Sequence, residues 1–129
     1  MQLPDFIAVP ALVCSCVISA HARAMTCGEF NGLGPAAKNP QDLIAHAASH
    51  AQVDVYRKMI ADHAASIAFQ SVTTRARGLK KLRNSKDGLL PLVRESLALT
   101  RIACFESPNL NFEDTGKGEF NYLLDAWGK

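Results

Sequence analysis

Hydrophobic positions recur at helical spacing over most of the chain, and strand-type alternation is nowhere sustained. Leu43, Ala47, Ala51, Val55 and Met59 share one helical face, which Ile60, Ala64, Ile67 and Ala68 continue. Asn39-Pro40-Gln41-Asp42 starts this segment, with Asn as N-cap, Pro at the first helical position and Asp in the first turn. From Pro40 to about residue 82 there is no further Pro and a single Gly, Gly78. One helix of that length is out of scale with a small domain, where helices average about 11–12 residues. The pattern therefore predicts two helices, broken near residues 51–53 or near residues 72–74, where β-branched residues cluster.

Ser85-Lys86-Asp87-Gly88 reads as a turn. A third helix is expected from residue 91 to about 105. Val93, Leu97, Thr100 and Cys104 form one stripe on it, and Leu92, Leu99 and Ala103 add a second. A helix apolar on so many sides should be the central one. Glu106-Ser107-Pro108-Asn109 ends it. A short last helix, from residue 117 to about 127, should pack Phe120, Leu123, Leu124 and Trp127 on the rest. The sequence shows no internal repeat and no linker. The expected fold is all-α: a small helical domain of about four helices.

The N-terminal end changes that picture. Residues 6–18 are an apolar stretch, interrupted by Pro10 and followed by Ala22-Arg23-Ala24, a small-x-small pattern suited to a signal peptidase. Residues 1–24 are expected to be a cleaved signal peptide and residues 25–129 the mature domain. The first five residues carry Asp5 and no Lys or Arg, which departs from the usual basic start. A buried N-terminal segment is the alternative. No stretch reaches the 18 or so apolar residues of a membrane span.

The chain has 129 residues, 48% hydrophobic, 20% charged and only 7% aromatic, so its core must be aliphatic and alanine-based. Residues 25–129 carry seven Lys and six Arg against six Asp and five Glu, a net charge of +2. That is too mild to indicate a nucleic-acid partner. Two cysteines remain there, Cys27 and Cys104, and an oxidising compartment favours their pairing over two free buried thiols. A loop that long is worth about 4 to 4.5 kcal/mol in the chain-entropy account.

Met25-Thr26-Cys27-Gly28-Glu29-Phe30 resembles the mature start of the HdeA/HdeB family of periplasmic acid-stress chaperones. Ile102-Ala103-Cys104, Ser107-Pro108 and Phe112 resemble that family's late Cys closing an apolar helix. Gly118-Glu119-Phe120 resembles its closing helix. The likeness covers residues 25–35 and 89–124. The interval between the two cysteines is longer here than in the family, with the surplus at about residues 45–86. The resemblance implies a small all-helical periplasmic protein with one disulfide and no cofactor. It would loosen in acid and hold unfolding periplasmic proteins, with a homodimer as a possible resting state. Leu92, Val93, Leu97 and Leu99 on the apolar helix are the expected client-binding residues. Residues 45–86 should form helices covering that face, while residues 75–86 stay solvated.

Other constellations compete. Asp42, His46, His50 and Asp54 recur every four residues, so on one continuous helix His46 and His50 could clip Zn²⁺ or Cu²⁺. A third ligand is wanting, because His63 is out of phase; the same residues also suit a solvated face. Arg75, Arg77, Lys80, Lys81, Arg83 and Lys86 place six cations in 12 residues without an acid. No aromatic is interleaved to stack on bases; a solvated helix face, anionic lipid or an acidic partner fits better. The sequence has no nucleophile elbow, HExxH, CxxC or phosphate loop, so no active site is read. The alternatives to the chaperone are a secreted protein binding one partner on the same disulfide scaffold, and a His-based periplasmic metal binder.

Overall fold

In a computed structural model that describes residues 24–70 and 73–129, six α-helices follow one another and the described residues form no strand. They are α1 (Cys27–Asn31), α2 (Pro40–Ala45), α3 (His50–Ala68), α4 (Thr74–Arg83), α5 (Leu90–Glu106) and α6 (Phe112–Gly128). The all-α, disulfide-stapled expectation holds, with six helices rather than about four. Apart from Ala24, the expected signal peptide lies outside the described residues. No helix among the described residues is long and apolar enough to cross a membrane.

Side-chain caps set most of the boundaries. Asn39 accepts from the Asp42 N–H, with Pro40 at the first helical position, as expected. The first break then falls at residues 46–49, a few positions before the one expected. Ser49 caps α3 by accepting from the Gln52 N–H, and the Gln52 side chain accepts from the Ser49 N–H. The second break lies between Ala68 and Thr73, the N-cap of α4, close to the alternative site. Residues 45–86 thus hold α3, α4 and the end of α2. The apparent stripe from Leu43 to Met59 was carried through the break by Ala47 and Ala51, both of which are exposed.

Two further boundaries differ from expectation. A five-residue α1 starts at Cys27, closed by a capping box between Thr26 and Glu29. The last helix begins at Phe112 rather than Lys117, because Asn111 accepts from the Asp114 N–H. The Ser85–Gly88 turn is present, and Gly88 takes a positive φ of 61°, a conformation that favours glycine.

The core draws on every helix except α2, with Phe30, Tyr56, Ile60, Ile67, Leu79, Leu92, Leu97, Phe112, Phe120 and Leu124 all buried. α5 touches α1, α2, α3 and α6, so it is central as its two stripes required. α6 shares that position, since α4 packs on α6 and α3. The middle region therefore covers α5 chiefly through α3, while α4 covers α6. Trp127 is half exposed rather than packed. The basic side chains Arg77, Lys80, Lys81, Arg83 and Lys86 are exposed, as expected of residues 75–86. Arg75 differs, forming a two-pronged pair with Asp125 of α6 at 3.1 and 3.0 Å.

Candidate functional site

The disulfide joins Cys27 in the first turn of α1 to Cys104 near the end of α5, with Cα atoms 4.6 Å apart. The backbone reinforces it. Cys27 donates to the Leu110 carbonyl at 2.8 Å, Gly28 to Pro108 at 2.8 Å, and Phe112 to Met25 at 2.9 Å. The Asn31 amide donates to the Cys104 carbonyl at 2.9 Å. One covalent bond and a short ladder thus clamp α1 between the end of α5 and the start of α6.

The four expected client-binding residues lie on α5 under cover. Leu92 and Leu97 are buried, and Val93 and Leu99 are half-buried. Leu92 faces a cleft shared with Leu82 and Trp127. Val93 lines a groove with Ile60, Ala64 and Leu89. Leu97 lines a third concavity, against α2 and the start of α3. Apolar side chains already open include Phe69, 90% exposed, together with Ile44, Tyr122 and, on α5 itself, Leu90.

The His46–His50 pair loses its geometric basis. His46 ends α2 and His50 begins α3, so the two do not share one continuous helix. Among the described residues, no group of three or more His, Cys, Asp or Glu side chains could hold a metal ion. His63 instead pairs with Asn121 on α6, at 2.7 Å.

Comparison with family models, with curated proteins and with solved structures finds no match.

Two polar features of the interior were not read from the sequence. Tyr56 is fully buried, its hydroxyl donating to the Gly116 carbonyl at 3.4 Å and lying 3.5 Å from the Thr100 hydroxyl. Burial pushes its pKa above the usual tyrosine range, and hydrogen bonds with Ser96 and Thr100 oppose that shift. Arg101 is only 5% exposed. Its Nη1 donates to the carbonyls of Leu43 and His46, at 3.1 and 3.0 Å, capping the end of α2. Its Nε is buried without a partner. Desolvation lowers its pKa below the ordinary arginine value. The sequence does carry a signal for this residue: Arg101 stands between Leu97 and Cys104 on the stripe that faces the core.

Proposed function

We propose that this protein is an exported, periplasmic acid-stress chaperone of the kind the HdeA/HdeB family represents. It loosens at low pH and holds unfolding clients on the apolar face of α5. One arrangement carries the reading: the disulfide fastens the end of α5 to α1, while the apolar face of α5 is covered only by noncovalent packing. Two of the helices packed on α5, α2 and α3, sit inside the loop the disulfide closes, while α6 packs on it from outside that loop. α2 and α3 can move off α5 without freeing the α1–α5 junction.

The charge balance of residues 25–129 supplies the drive. Near neutrality their eleven carboxylates almost offset thirteen Lys and Arg. In strong acid the carboxylates are neutral and three histidines are charged, so the side-chain charge approaches +16. Self-repulsion then acts against the compact state. The Arg75–Asp125 ion pair joins α4 to α6. Leu92, Val93, Leu97 and Leu99 become available to clients, and the positive charge keeps the complexes apart in solution.

The test is aggregation of an acid-unfolded client at about pH 2–3 and at neutral pH, with oxidised and with reduced protein. Suppression only in acid, and weaker suppression by the reduced form, is expected. Equal client aggregation with and without the protein in acid sinks the proposal. Export is checked separately: protein recovered from a periplasm should have the mass of residues 25–129 less two hydrogens.

A further inference from the structure

We infer that the groove between α2, the start of α3 and the middle of α5 binds an aliphatic carboxylate. Arg101 takes the head group, and the apolar walls take a medium-length alkyl tail. The proposal is independent of the chaperone reading. The groove encloses about 450 Å³, within the usual range for small-ligand sites. Its walls are mainly aliphatic: Leu43, Ala47, Val53, Leu97, Ala98 and Ile102. Arg94 and His46 also line it.

The decisive feature is the uncompensated charge in this lining. Buried cations are ordinarily paired with a carboxylate, because desolvating an unpaired charge is costly. Arg101 has no carboxylate partner among the described residues; it has two neutral carbonyls, both taken by Nη1. Nε is sealed from solvent and donates to nothing, and among the described residues Nη2, which is not sealed in this way, makes no hydrogen bond. Nε and Nη2 form the side-on edge of the guanidinium, the edge that holds a carboxylate by two parallel hydrogen bonds. A carboxylate there supplies both the missing charge and the missing acceptors. The aliphatic walls favour an alkyl chain behind that head group over a free inorganic anion.

Calorimetry with the full, oxidised chain at neutral pH tests this with three probes: decanoate, decanol and acetate. Decanoate should bind one to one. Decanol, which lacks the charge, should bind about ten- to a hundredfold more weakly, and acetate, which lacks the tail, should show no binding. Arg101→Met should abolish decanoate binding. Arg101 also caps α2, so that variant can fail to fold, and Ala98→Trp supplies the second test. Ala98 is exposed on the groove wall, and a bulky side chain there should block decanoate while the helical signal and melting curve stay unchanged. Equal binding of decanoate and decanol, or undiminished decanoate binding by a folded Ala98→Trp protein, overturns the inference. So does absence of decanoate binding alongside a dimer that Ala98→Trp dissociates, which would give the groove to a second copy of the chain.

Discussion

Phe30 stacks on Phe112, with ring centroids 4.2 Å apart and planes inclined by 21°. Phe30 is one turn from Cys27 on α1, and Phe112 is the first residue of α6. Tyr56 of α3 meets the same Phe112 ring edge-on, at 6.3 Å. Three segments distant in the chain therefore converge beside the covalent bridge.

The bridge should dominate stability. It spans 77 residues, for which the chain-entropy account gives about 4.5 kcal/mol. Urea unfolding of the oxidised protein and of Cys27→Ser/Cys104→Ser should differ by roughly that amount. A difference below about 1 kcal/mol would show that the surrounding backbone bonds and ring stack hold the junction unaided.

Two glycines should respond to alanine in opposite directions. A Cβ on Gly78 of α4 would collide with the Leu124 carbonyl of α6, a backbone atom that cannot turn aside. Gly78→Ala should therefore cost about 1–3 kcal/mol. A Cβ on Gly118 meets nothing within 4 Å, so Gly118→Ala should stabilise by about 0.5–1 kcal/mol through helix propensity. A Gly78→Ala protein that melts no lower than the wild type would refute the tight α4–α6 crossing.

Gln52 should prove more important than a polar residue usually is. It is 2% exposed, closes the capping box of α3, and donates to the Phe30 carbonyl at 3.1 Å. Gln52→Ala removes the cap partner and one of the hydrogen bonds to the Phe30 carbonyl, which keeps the Leu33 N–H, at a cost of about 1–2 kcal/mol. Gln52→Glu retains the cap acceptor but loses the donor to Phe30. Urea titrations should rank wild type above both variants, and a neutral effect of Gln52→Ala would contradict the described bond.

Tyr56 should give the protein an alkaline limit. Its folded pKa is raised, chiefly by burial, so the unfolded chain ionises first, near pH ~10. Stability tied to the neutral hydroxyl is fully present below that pH and falls as pH climbs beyond it. Tyr56→Phe should lose about 1 kcal/mol near neutrality and show a flatter decline in alkali. Unfolding midpoints of the two proteins from about pH 7 to 11 check this; parallel declines would count against it.

Local signals made much of this fold legible in advance. Asn39 and Pro40 open α2, Ser85 to Gly88 make the turn, and the twin stripes of α5 mark a central helix, because each depends on near neighbours. The boxes Thr26…Glu29 and Ser49…Gln52 were equally present in the sequence. They went unread because α1 is too short to show a period, and because Ala47 and Ala51 carried an apparent stripe across the break. Which faces meet was a different matter. That α4 docks on α6 through Gly78, that Leu92 and Leu97 are sealed while Trp127 is half exposed, and that Arg101 lies inside without a counter-ion among the described residues were decided by tertiary packing. Helical periodicity assigns a residue to a face of its own helix. Only the approach of the other helices decides whether that face meets water, a carbonyl or another side chain.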